Sequence, residues 1–187
     1  VINQEDYELA KKKFHMKQLT YIPGIGVNVT PHDMPQEAKN KKRQELGIPE
    51  SAFLIVQVAE FTANKNQRTV IKAFRSDVHE ILQCADCFVL SSFREGLSVA
   101  LMEAMAEGLP VVCSRIRGNV DLIEDGVGGC LAAPEEAGAY GEAFEKIFEN
   151  KRNKPEQLKK MGEQNRQKIR QFSEETVDEI MRKVYRR

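Results

Sequence analysis

The sequence predicts an α/β fold: a reduced, mainly parallel sheet of about four strands layered between helices. Three observations carry this. Residues 52–59 (A-F-L-I-V-Q-V-A) are a near-continuous apolar run, the pattern of a strand covered on both faces. Residues 87–112 read as strand, loop, helix and strand in one span: an apolar 87–90, helical spacing over 97–107, Gly108 as the stop, and Pro110 opening a second apolar run. Strands then alternate with helices as far as residue 132, which sets parallel pairing through right-handed crossovers.

Taken in order, residues 1–3 read as the end of a strand. Gln4-Glu5-Asp6 opens a basic helix to about residue 16, with Tyr7, Leu9, Ala10 and Phe14 as its apolar members. Residues 19–23 are extended, Gly24-Ile25-Gly26-Val27 is a turn, and 28–31 lead into a polar loop. A helix over 35–46 carries Lys39, Lys41, Lys42 and Arg43 on a solvated face and ends at Gly47. After the 52–59 strand and the loop E-F-T-A-N-K-N-Q comes a helix over 67–75, with Val70, Ile71 and Phe74 on one side. Ser76 or Asp77 caps the next helix, whose stripe is Val78, Ile81, Leu82 and Ala85. Past 87–112, residues 115–119 form a loop, 120–124 a helical turn or two, Asp125-Gly126 a turn and 129–132 a strand. Pro134 introduces a helix over 135–149 with the stripe Tyr140, Phe144, Ile147 and Phe148. A long polar helix with Leu158, Met161, Ile169 and Phe172 follows. Ser173 caps the last helix, whose stripe is Val177, Ile180, Met181 and Val184; its two leading Glu and its closing Arg186-Arg187 match the helix dipole.

At 187 residues the chain fits one domain with a short appendage. Lys+Arg and Asp+Glu both number 28, so no net positive field favours nucleic acid, and no nucleic-acid partner is expected. No apolar run approaches the roughly 18 residues of a membrane span, and no secretory leader is visible at the first residues. Cys84 and Cys87 form a C-x-x-C, yet Cys87, Cys113 and Cys130 all sit in apolar runs as small buried hydrophobes. His15, His32 and His79 show no zinc spacing with them. A reduced, cytoplasmic, metal-free protein is expected.

The chemistry concentrates at 87–112. A helix starting just past the carboxyl end of a parallel strand offers free N–H groups and a dipole that favour an anion. Glu95 and Glu103 bracket that start, with seven residues between them. Read alone, Glu95 is equally an exposed loop residue and Glu103 a helix-surface carboxylate. Arg115 and Arg117 either supplement an anion site or lie in a solvated loop, and capping accounts for Asp121.

The motifs S-S-F-R-E-G-L-S-V-A-L-M-E-A-M-A-E-G-L-P-V-V, R-I-R-G-N-V-D-L-I-E-D-G-V-G-G and V-A-E-F-T-A-N-K-N-Q resemble the nucleotide-sugar-binding half of family 4 glycosyltransferases, the glycosyl transferases group 1, of the GT-B fold. Y-I-P-G-I-G-V-N resembles the segment carrying such enzymes from their first domain into their second, and Q-F-S-E-E-T-V-D-E-I-M-R-K-V-Y resembles their closing helix. The resemblance implies a Rossmann-like three-layer sandwich over 31–187, preceded over 1–30 by the remnant of another domain and a linker. It implies that Glu103 accepts hydrogen bonds from ribose hydroxyls and Glu95 contacts the donor sugar. The N–H groups of Gly96, Leu97 and Ser98 would hold the diphosphate, and Lys65 would neutralise it as it departs, without a metal or other cofactor. The N-K-N-Q run points to bacterial surface-polysaccharide enzymes, hence a nucleotide-diphosphate-sugar donor and a glycan or lipid-linked acceptor. It also implies a cytoplasmic place, peripheral at the inner face of the membrane.

Three departures accompany the resemblance. The acceptor-binding domain is expected to be missing, with residues 1 to about 16 as only its last fragment. The helix ending near residue 75 runs directly into the next, so two central strands of the usual half-sheet are missing. Glu60 stands where many relatives carry a basic residue. Removing strands from the outer side of order 3-2-1-4-5-6 leaves 52–59 as an apolar edge. Two readings follow: a donor-binding domain of a retaining glycosyltransferase, or a catalytically incomplete relative acting as a binding or assembly module, a homodimer through that edge.

Overall fold

The computed structural model describes residues 1–15, 18–30, 34–58 and 78–185. Among them four strands, β1 (Ile55–Val56), β2 (Cys87–Leu90), β3 (Val111–Ser114) and β4 (Gly129–Ala132), form one sheet in the order β1-β2-β3-β4, every neighbour parallel. Successive side chains of a strand point to opposite faces, and the core divides accordingly. Phe88, Leu90, Val111 and Cys113 pack on one face with Leu82 of α3 (Val78–Cys84), with Leu101, Met102 and Met105 of α4 (Val99–Ala106), and with Phe172. Cys87, Val112 and Cys130 face the other way, against Ala143 and Ile147 of α6 (Ala137–Asn153) and Met161 of α7 (Pro155–Ile169). This is the three-layer α/β sandwich that the sequence predicts. The helix start predicted near residue 120 is α5 (Asn119–Leu122).

The clearest predicted strand is the shortest one observed. Of the 52–59 run only Ile55 and Val56 pair with β2, at Cys87 and Phe88. The run's start is held differently: the Asp86 carboxylate accepts from Leu54 N–H at 2.8 Å, and Leu54 O accepts from Asp86 N–H at 2.8 Å. Among the described residues β1 has β2 alone as a neighbour, so it is the sheet edge and half a ladder holds it. Asp86 also pairs with Arg43 at the end of α2 (Gln36–Glu45) and with Lys151 of α6 at 2.6 Å. The predicted helix over 67–75 lies outside the described residues, as do Glu60 and the Ser76-Asp77 cap.

The two chain ends fold back on this core. α1 (Gln4–Lys13) is capped by Asn3, whose side chain accepts from Asp6 N–H at 2.8 Å. Residues 1–3 form no strand. Val27 bridges Ser173 in parallel, through Val27 N–H to Phe172 O and Glu174 N–H to Val27 O, both 3.2 Å. Thus the G-I-G-V turn is zipped to the start of α8 (Glu174–Tyr185). In α6 the apolar stripe departs from expectation. Ile147 and Ala143 are buried, whereas Phe148 is 48% exposed and meets Phe53 edge-on at 5.5 Å. All four cysteines are buried free thiols.

Candidate functional site

β2 delivers the chain to the carboxyl edge of the sheet, where the apolar run gives way to Ser91 and Ser92, both buried. Ser92 donates its hydroxyl to Glu95 Oε1 at 2.7 Å, which ties the half-buried Glu95 side chain back to the strand end. Gly96 and Leu97 follow, half-buried. Ser98 then caps α4: its backbone is extended at φ −77° and ψ 117°, its hydroxyl accepts from Leu101 N–H at 3.4 Å and its carbonyl from Met102 N–H at 3.0 Å. The helix therefore starts at Val99, two residues later than residue 97 as the sequence predicts, because a capping serine must stay out of the helical conformation. The N–H groups of Gly96, Leu97 and Ser98 consequently belong to the loop entering the helix.

Glu103 lies in α4 five residues beyond Ser98, about 7 Å along the axis. Leu101, Met102, Ala104 and Met105 turn into the core. Val99 and Glu103, four apart, share the less buried stripe, with Val99 38% exposed and Glu103 half-buried. Among the described residues no hydrogen bond or ion pair to the Glu103 carboxylate is seen. Gly108, at φ +75°, ends the helix as predicted and returns the chain to β3. Lys65, the fourth element of the expected constellation, lies outside the described residues. Glu95, Gly96, Leu97, Ser98 and Glu103 fall in one strand–loop–helix unit.

Three features around this unit escape a reading of the sequence. The first is α1, which docks beside it: Gln4 N–H donates to Asp121 at 3.0 Å, and Arg117 pairs with Asp6 at 2.6 Å. Asp121 thus receives the start of another helix 117 residues away in sequence, and Arg117 is held in an ion pair rather than in a solvated loop. Arg115 likewise pairs with Asp125. The second is the close packing of glycines. Leu97 lies against Gly24 of the zipped turn, and Gly118 lies against Gly96. The third is Asn119, fully buried, whose amide donates to Ser114 O at 3.0 Å and Ser114 Oγ at 3.1 Å, fastening the loop after β3 to that strand's end. These contacts join residues distant in sequence, which no local motif encodes.

A cavity of about 640 Å³ opens at the other end of the sheet, below the amino ends of β2 and β3. Lys39, Lys151, Lys159 and Arg166 line it with Asp86 and Glu107. It lies past the far end of α4 from the loop of residues 95–98, about one helical turn beyond Glu103 at Glu107, and its acidic groups are engaged: Asp86 as above, Glu107 by Gln83 at 3.1 Å. Among the described residues no group of three or more His, Cys, Asp or Glu is placed to hold a metal ion. No helix among them is long and apolar enough to cross a membrane.

Residues 74–168 match the profile of the family described as glycosyl transferases group 1. EpsD of Bacillus subtilis, by its name a candidate glycosyltransferase, is 29% identical over 228 aligned residues, covering 98% of this chain and 59% of that protein. That span exceeds the chain's 187 residues, so EpsD carries internal segments that this chain lacks, in keeping with the expected shortened interior. A UDP-Gal:alpha-D-GlcNAc-diphosphoundecaprenol alpha-1,3-galactosyltransferase of Escherichia coli is 31% identical over 114 residues, 56% of this chain and 30% of that one. Among solved structures, Anabaena HepE in complex with UDP-glucose superposes with a TM-score of 0.77 at 18% identity, over 90% of this chain and 57% of that chain. A glycosyltransferase from Rickettsia africae superposes with a TM-score of 0.84 at 16% identity, over 98% and 61%. At such identities the structural likeness speaks to fold. The chain spans less than two thirds of the length of each of these proteins.

Proposed function

Because the chain belongs to the glycosyl transferases group 1 family, we propose that it is the donor-binding domain of a retaining glycosyltransferase, taking a sugar from a nucleotide diphosphate for transfer to a surface-polysaccharide or glycolipid acceptor. In this reading Glu103 accepts hydrogen bonds from the ribose hydroxyls and Glu95 orients the donor sugar. The N–H groups of Gly96, Leu97 and Ser98 hold the diphosphate. Lys65 offsets the charge that develops on it as the glycosidic bond breaks, a role of fixed electrostatic stabilisation. Polyhydroxyl ligands call for carboxylate acceptors and a leaving diphosphate for fixed donors and positive charge, and this set of side chains provides both. The enzyme works in the cytoplasm, at the inner face of the membrane, where a lipid-linked acceptor is presented.

The observation that carries the reading is the strand–loop–helix unit itself. It lies inside the family match, leaves β2 at its carboxyl end, and keeps Glu95 tethered to Ser92 while Glu103 lies on the accessible stripe of α4. Titration calorimetry with UDP, GDP and ADP tests it. One nucleotide binds the wild-type chain, and Glu103→Ala weakens it by roughly tenfold or more, the worth of a charge-assisted hydrogen bond. No heat from any of the three at millimolar concentration contradicts the proposal.

The second reading, a catalytically incomplete relative that assembles through its sheet edge, draws on β1, a two-residue edge strand with the half-buried Phe53 and Leu54 leading into it. It calls for a dimer in light scattering that a lysine at Ile55 disrupts. A concentration-independent monomer that turns over a sugar nucleotide rules it out.

A further inference from the structure

We propose that Gly118, at the start of α5, is a positioning residue that fixes the direction of the Leu97 N–H; this rests on the donor-site reading above. Gly118 has φ +82°, and its backbone lies against the Gly96 carbonyl. A β-carbon at 118 would overlap Gly96 O and stand 2.6 Å from the Gly96 carbonyl carbon and 3.5 Å from Leu97 N. The obstacle is backbone, so no flexible side chain can swing aside to make room.

The direction follows from peptide geometry. In a trans peptide the carbonyl and the N–H of the next residue point opposite ways, and no cis bond occurs among the described residues. A Gly96 carbonyl braced against Gly118 therefore leaves the Leu97 N–H aimed away from residue 118. The Leu97 side chain lies alongside Gly24 of the zipped turn, where an added β-carbon would be 3.4 Å from its Cδ1. Gly118 is itself anchored. Its carbonyl accepts from Leu122 N–H at 3.3 Å, and the adjoining Asn119 is tied to Ser114 at the end of β3. The loop after β2 is thereby indexed to the end of β3. The Leu97 N–H is held in one direction, away from residue 118, before any ligand arrives, an amide fixed for an anion without reorganisation.

The fold supplies a matched control. Gly126 has φ +79° with nothing within 4 Å of a β-carbon, so Gly126→Ala places a β-carbon at a positive φ as Gly118→Ala does, but without the collision. Calorimetry with UDP, GDP and ADP is run on wild type and both variants, with far-UV circular dichroism to confirm folding. Wild type and G126A bind the preferred nucleotide with the same Kd, and G118A binds it roughly 10- to 100-fold more weakly, the loss expected for a misdirected hydrogen bond to a charged group. G118A binding as tightly as G126A overturns the inference. A second readout stands even if G118A does not fold: in the ¹⁵N-labelled wild-type chain the Leu97 amide proton moves downfield on titration with the nucleotide, and a stationary Leu97 resonance overturns the inference. If neither wild type nor G126A binds any of the three nucleotides, the donor-site reading fails and takes the inference with it.

Discussion

The Ser92–Glu95 hydrogen bond is where a single side chain makes the difference between a loop carboxylate and a directed one. Ser92 is fully buried and reaches Glu95 Oε1 at 2.7 Å, so the serine holds one oxygen of the Glu95 carboxylate toward the strand end. In the proposed reading Glu95 contacts the sugar and not the nucleotide, which makes Ser92→Ala selective. It should weaken binding of the sugar nucleotide by about fivefold, because Glu95 itself remains and only its orientation is loosened, while leaving the nucleoside diphosphate nearly unchanged. Paired titrations with the two ligands check this, and an equal loss for both would place Glu95 on the nucleotide instead. Glu103 presents the contrasting case. Its position on α4 follows from the heptad-like burial of Leu101, Met102 and Met105, and was legible from periodicity alone. Ser92 was present in the motif, but nothing about its type distinguishes a strand-end serine that tethers a carboxylate from one that fills space.

At the scale of elements, the short local units were legible and the long-range joints were not. β2 and β4 fall at the residues that their apolar runs predict, and Gly108 stops α4 as its left-handed φ requires. What periodicity cannot supply is the fastening between elements. Asn165 of α7, 2% exposed, donates to Leu109 O at 2.7 Å and Gly128 O at 2.8 Å, holding the turn after α4 and the turn before β4 to one side chain. In the sequence it is one polar residue in a polar helix. Asn165→Ala leaves buried carbonyls short of a partner and should cost about 2–4 kcal/mol in urea unfolding; a loss below about 0.5 kcal/mol would mean that water replaces the amide there. β1 errs in the opposite direction. Its apolar run promised a long strand, but only Ile55 and Val56 pair with β2, because the Leu54 N–H before them is taken by the Asp86 carboxylate. The docking of α1 through Asp121 and Arg117 is likewise a tertiary fact, joining residues more than 100 positions apart.

For the whole molecule, the buried acids set how stability responds to pH. Burial pushes the thiols of Cys84, Cys87, Cys113 and Cys130 above their ordinary value and the Tyr140 phenol up to about 12. Groups raised in the folded state stabilise it fully below their unfolded values, about 8.5 for a thiol and 10 for tyrosine, and that contribution is lost as pH climbs toward the folded values. The urea midpoint should hold steady from about pH 7 to 8 and fall above about pH 9, less steeply in a Cys113→Ala variant; a midpoint level to pH 10.5 would contradict this burial. The same three-layer packing leaves two places for an anionic ligand: the loop entering α4 at the carboxyl edge of the sheet, and the lysine-lined cavity of about 640 Å³ at its amino edge. The proposed donor site is the first. A crystal structure of the chain with its preferred nucleoside diphosphate decides between them. Diphosphate density is expected against the amides of residues 96–98, with the ribose hydroxyls on Glu103; a nucleotide bound instead among Lys39, Lys151, Lys159 and Arg166 would overturn the donor-site proposal.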